Sequence, residues 1–231
     1  MHVPDGFLDA PTSIATGVVA VVGVGLALRG ARKELDDRTA PMAGLVATFV
    51  FATQMLNFPV GAGTSGHLLG GALAAILVGP WTGLLCVSVV LIVQALLFAD
   101  GGITAIGTNI TLMAIVGVLV GWLVFRGIQS VLPKKVAVVA PAAALAAFVS
   151  VPVAALAFVG LYGVGGTAPI PLDTLTTAML GWHTLIGIGE AVITGLVVGS
   201  VVAVRPDLVF GARRALKTRE LEIRNVEGAA A

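Results

Sequence analysis

Seven stretches of this chain are apolar over lengths comparable to a bilayer crossing, and nearly all of its charges fall outside them, in the connecting segments and at the two ends. That pattern constrains the fold before any motif does. A chain with 58% hydrophobic and 11% charged residues has too little polar surface for a soluble domain, where about a quarter of residues are charged. Candidate spans are about 11–29, 41–59, 67–79, 81–99, 109–131, 136–162 and 181–204. Residues 67–99 are nearly continuous, but one helix of that length is too long, and "GPW" at 79–81 offers a break. The span 67–79 is short, so its ends are expected to be re-entrant or shielded by protein.

Charge placement tests the count. With seven spans, the segments 30–40, the turn near 80, about 126–135 and the tail from 205 lie on one side. They carry all 13 Lys and Arg: Arg29, Arg32, Lys33, Arg38, Arg126, Lys134, Lys135, Arg205, Arg213, Arg214, Lys217, Arg219 and Arg224. The opposite segments hold Asp5, Asp9, Asp100 and Asp173 and no basic residue. Fusing 67–99 into one span would put basic loops on both sides. The positive-inside rule therefore predicts an all-α membrane protein of about seven transmembrane helices, N-terminus outside and C-terminus cytoplasmic. No cleavable signal peptide is evident, and Met1 is expected to survive processing because His2 is bulky. The 30 glycines suit close helix packing in lipid, and "GVLVG" (117–121) and "GLVVG" (195–199) are contact faces within the protein or with a partner. The single cysteine, Cys86, excludes a disulfide framework.

All three histidines fall at the outer face in this topology: His2 before helix 1, His67 opening helix 3 and His183 opening helix 7. The acidic outer loops attract cations. In "MHVPDGFL" the Met1 amine, the His2 backbone nitrogen and the His2 imidazole lie on adjacent bonds and form a ready chelate. An ionised backbone nitrogen favours planar geometry, which suits Ni(II) or Cu(II), and His67 is a possible fourth nitrogen. "VPDG" reads as a β-turn with Pro4 second and Gly6 fourth, which would drive the terminus back into the bundle. The plain alternative is a frayed tail with an incidental histidine.

His67, in "GAGTSGHLLGGAL", reads equally as a capping histidine. His183 and Glu190, seven residues apart in "WHTLIGIGEAVITG", share a helix face at a rise of about 10.5 Å, too far to bind one ion together. Glu190 is the one clearly ionisable side chain at membrane depth, either a functional carboxylate or a hydrogen-bonding tie between helices. Gln54 and Asn57 are either partners for an imidazole or interhelical ties. There is no GxxxxGK[ST], HExxH or GxSxG pattern, so the chain offers no route to ATP hydrolysis or proteolysis of those types.

The opening "MHVPDGFL", "GTSGHLLGG" and "GWHTLIGIGEAVITG" together resemble the CbiM/NikM family, the substrate-binding membrane subunits of cobalt and nickel energy-coupling factor (ECF) transporters. The resemblance implies a seven-span bundle whose amino-terminal segment, 1–10, inserts into the core within a membrane domain spanning 1–204. Residues 205–231 form a charged cytoplasmic tail. It implies metal ligation by the Met1 amine, the backbone nitrogen and imidazole of His2, and His67, with Gln54, Asn57, His183 and Glu190 as supporting or structural groups. It implies no cofactor, a multi-pass location in the cell membrane, and no enzymatic activity in this chain. Expected partners are a transmembrane coupling (T) subunit, two ATP-binding subunits and a small auxiliary membrane protein, with no nucleic acid. The "PDGF"-like opening leans to nickel over cobalt as the transported ion. Two rival readings remain: a stand-alone metal/proton carrier using Glu190, and a structural or assembly subunit.

Overall fold

In the computed structural model, the described residues are 1–36, 39–61, 64–218 and 220. They form a helical bundle with one small hairpin. The helices are α1 (Ala10–Ala31), α2 (Thr39–Gln54), α3 (Gly71–Val78), α4 (Pro80–Leu97), α5 (Ile106–Val131, with a π-helical segment Ile110–Val116), α6 (Val139–Gly165) and α7 (Leu172–Val204). An antiparallel hairpin, β1 (Phe58–Gly61) with β2 (Thr64–Gly66), lies between α2 and α3. Five helices, α1 and α4–α7, are long and apolar enough to cross a membrane. Of the seven expected spans, the other two correspond to shorter helices among the described residues: α2 has 16 residues and α3 only 8.

The expected span 41–59 ends as helix at Gln54, and the chain turns into the hairpin, where Pro59 keeps the preceding residue extended. The short third segment is shielded by protein. Every residue of α3 is buried. A Cβ on Gly83 of α4 would lie 2.7 Å from the Ala75 backbone nitrogen, and one on Gly121 of α5 would lie 2.6 Å from Ala72 Cβ. Small residues thus let α4 and α5 close around α3 at backbone contact. "GVLVG" serves this internal packing, as "GLVVG" does against α6, where Gly195 and Gly199 face Ala144 and Ala140. The glycine faces are spent within the fold.

The chain reverses between α3 and α4 at Gly79, whose φ is +101°. A side chain there would also run into Glu34, 2.6 Å away. Glu34, buried in the α1–α2 connection, accepts hydrogen bonds from the Trp81 N–H (3.2 Å), the Thr82 N–H (2.7 Å) and the Thr82 hydroxyl (2.9 Å). The carboxylate supplies the cap that Gly79 lacks, and the positive end of α4 favours it there. Arg38, Arg219 and Arg224, with residues 219 and 221–231 of the expected tail, lie outside the described residues.

Ahead of α1 the terminus is tightly packed. Met1 and Val3 are buried, while Pro4, Asp5 and Gly6 are exposed. The turn is shifted by one from the expected register: Phe7 N–H bonds the Pro4 carbonyl (3.4 Å), which places Gly6, φ +72°, third. Two constraints set that register. A left-handed glycine suits the third position, and the Val3 carbonyl already receives Gly102 N–H (2.9 Å). Phe7 then stacks on Phe158 and Tyr162, and Asp9 N–H bonds the Gly165 carbonyl (2.7 Å). Asp9 also caps α1 by accepting from Thr12 N–H at 2.9 Å. The terminus is a folded strap.

Candidate metal centre

Asn109 templates the first residues. Its side-chain oxygen accepts from Val3 N–H (2.7 Å) and its amide donates to the Val3 carbonyl (3.2 Å), as a neighbouring strand would. This double contact fixes the register of Val3, and so the positions of Met1 and His2. His2 is 6% exposed and His67 is fully buried, with ring centroids 4.4 Å apart. Residues distant in sequence, one at the terminus and one after the hairpin, thus place two imidazoles face to face.

Hydrogen bonding determines which nitrogens are bare. His2 Nε2 donates to Gln94 Oε1 at 3.2 Å. His2 Nδ1 has no hydrogen-bond partner, although it lies 3.1 Å from Asp100 Oδ1. His67 Nδ1 donates to the Leu68 carbonyl at 2.8 Å, leaving Nε2 buried and unpartnered. A carbonyl can only accept, so the proton sits on Nδ1 and the Nε2 lone pair is free. Buried lone pairs without donors are costly unless something fills the gap, and neutral imidazole nitrogens are good ligands for divalent transition ions.

Among the described residues no group of three or more His, Cys, Asp or Glu side chains is arranged to hold a metal. The side chains alone therefore make an incomplete ligand set. Burial pushes the Met1 amine down to about 4, against the pull of the Asp100 carboxylate, and burial likewise lowers the His2 imidazole. Both groups are therefore neutral near pH 7.

This neutrality predicts how binding depends on pH. With the amine and imidazoles already deprotonated, metal capture through them and the His2 amide nitrogen is expected to release only the amide proton at pH 7. Affinity should rise about tenfold per pH unit between about pH 7 and 8, where an ordinary amine would add a second proton. Below about pH 4 the amine itself charges and the slope steepens. Nickel calorimetry in buffers of different ionisation enthalpy counts the protons, and two released at pH 7 would show that the amine is not held neutral.

The supporting residues divide. His67 does not open a helix; it stands four residues before α3, in a segment pinned from two sides. Glu190 of α7 accepts from Leu69 N–H (2.8 Å) and Gly70 N–H (2.6 Å), while Gln54 of α2 donates to the Leu69 carbonyl (2.7 Å). Gly70 adopts φ +74° with Val50 2.7 Å from where a Cβ would sit. Glu190 is thus a clamp on the His67 loop, with both oxygens engaged. Asn57 is exposed and donates to Asp100 (3.4 Å) rather than to an imidazole. His183 does not open helix 7, because α7 starts at Leu172 and its 33 residues run about 50 Å. It is buried, with Nδ1 bonded to the Met179 carbonyl and Nε2 bare. Gln94 and Asn109 were not legible as site residues, because each contacts a segment more than 90 positions away.

A helical membrane bundle with bare, buried nitrogens gathered around its own terminus defines a multi-pass membrane protein of the metal-transport class. Residues 2–208 match the family model described as the cobalt uptake substrate-specific transmembrane region, and the chain belongs to that family, CbiM. A Haloquadratum walsbyi relative is 41% identical over 210 residues, 91% of this chain and 94% of its own length. The fused nickel transport protein NikMN of Rhodobacter capsulatus is 35% identical over 236 residues, covering 97% of this chain and 68% of that protein. The crystal structure of a truncated transition metal transporter superposes with a TM-score of 0.82 at 32% identity, over 88% of this chain and 99% of that one. The chain is a substrate-specific membrane component of metal uptake.

Proposed function

We propose that this chain captures Ni(II), with Co(II) as the nearest competitor, at the outer face of the cell membrane for an ATP-driven importer. The carrying observation is the pair of facing imzidazoles beside a buried amine: ring centroids 4.4 Å apart, with His67 Nε2 and His2 Nδ1 both lacking hydrogen-bond partners. The Met1 amine, the His2 backbone nitrogen and imidazole, and His67 form the ligand set. Four nitrogens, one an ionised amide, favour a planar ion, and the NikMN relative named for nickel supports that choice.

The amino terminus lies outside and the basic tail inside, a reading supported by the one-sided placement of all 13 Lys and Arg. Residues 1–204 are the capture domain and 205–231 its cytoplasmic tail. A separate coupling subunit and two ATP-binding subunits supply the work, since this chain has no Walker motif. Glu190, engaged by two backbone amides, acts as structure rather than as a proton carrier. Nickel titration of the purified chain and of His67→Ala tests the reading. Loss of one of four ligands should weaken binding roughly a hundredfold, or about 2.7 kcal/mol; unchanged binding would remove His67 from the site.

A further inference from the structure

Asp100 stands where solvent meets the buried nitrogens. Its side chain is 17% exposed against 3% for that of His2, and its Oδ1 lies 3.1 Å from His2 Nδ1. That nitrogen has no hydrogen bond, and His2 already donates through Nε2 to Gln94. A carboxylate oxygen facing a bare nitrogen at this distance is two donors awaiting a cation. The separation is close to the roughly 2.9 Å between neighbouring donors around a divalent first-row ion with bonds near 2.05 Å.

The backbone holds the carboxylate there deliberately. Ala99 adopts φ +52°, among the described residues the one non-glycine at positive φ, and Gly101 follows at +92°. Asp100 N–H bonds back to the Gln94 carbonyl (3.1 Å), so the same residue fixes both the carboxylate's backbone and the His2 ring. A Cβ on Gly101 would sit 3.1 Å from His2 Cδ2, and one on Gly102 would collide with Asp5. The loop is drawn tightly over the terminus, and a backbone in a sparsely populated region persists only where surrounding contacts impose it.

Resting on the metal-capture reading, we propose that Asp100 is a transfer ligand: the incoming hydrated divalent ion binds its carboxylate first and passes from Oδ1 to His2 Nδ1. The four nitrogens then hold the ion without it. A ligand of this kind opens the path in both directions, so it changes rates more than affinity.

Stopped-flow absorption of nickel loading into the full chain, and chelator-driven release from it, should compare wild type with Asp100→Asn at low and high salt. Asp100→Asn is expected to slow both loading and release at least tenfold at either salt, with the final planar-nickel spectrum unchanged. Asp100→Glu should recover most of the rate, and Asp100→Ser repeats the slow phenotype if the asparagine variant folds poorly. Slowed loading alone, vanishing in high salt, would reduce Asp100 to a long-range attractor and overturn the proposal. Faster release with a shifted spectrum would make it a positioning group for His2, and unchanged rates would make it a bystander; either result overturns the proposal. A wild-type chain that takes up no nickel would instead sink the capture reading itself.

Discussion

Capping the Met1 amine as an acetyl or retained formyl amide should cost at least a thousandfold in nickel affinity and abolish the planar-nickel absorption band. That loss corresponds to about 4 kcal/mol. Every side chain stays in place, but the amine loses its lone pair to the amide, so one ligand disappears and the adjacent five-membered chelate ring cannot close. Met1 is 2% exposed, which leaves little room for the added group. A second variant therefore extends the chain by four residues before Met1. Extension by a single residue is a poor test. It would place the histidine third, where an amine, two amide nitrogens and the imidazole make a self-contained planar chelate of their own. Retention of tight binding in both the capped and the four-residue variants would exclude the terminus as a ligand.

Replacing Glu190 should damage the fold more than the metal. Its two oxygens satisfy the Leu69 and Gly70 amides inside the bundle. Glu190→Leu orphans both donors, at about 1–3 kcal/mol each, so a loss of roughly 2–6 kcal/mol is expected. Glu190→Gln keeps one acceptor and turns its amide toward the other N–H, so about half that loss follows. Nickel affinity should fall about tenfold in Glu190→Gln, because the His67 loop is held less firmly and must be ordered on binding. Thermal unfolding in detergent, with and without nickel, measures both effects. Intact stability and binding combined with abolished transport would instead return Glu190 to the role of a proton site.

Much of the arrangement was readable in the chain. The apolar runs announced a helical membrane bundle, since backbone amides in lipid must be satisfied within each segment. The glycines marked where helices would approach closely, and the opening "MH" exposed the chelate because those nitrogens are joined by consecutive bonds. The errors came where a local pattern met a distant partner. Hydropathy ran His67 into a helix, whereas Glu190 and Gln54, reaching across from α7 and α2, hold its segment in irregular backbone. The "VPDG" turn slipped by one residue because Gly102 and Asn109 claimed the Val3 backbone.

The same division separates what the two levels determine. Sequence alone established a membrane bundle and a terminus with nitrogens on consecutive bonds, because each follows from residue type and spacing along one segment. Only the tertiary structure decided that the terminus is buried rather than frayed, that His2 faces His67, and that Gln94, Asn109 and Asp100 surround them. These facts rest on hydrogen bonds between groups up to about a hundred positions apart, whose pairing depends on how the helices pack and leaves no periodic trace in the chain.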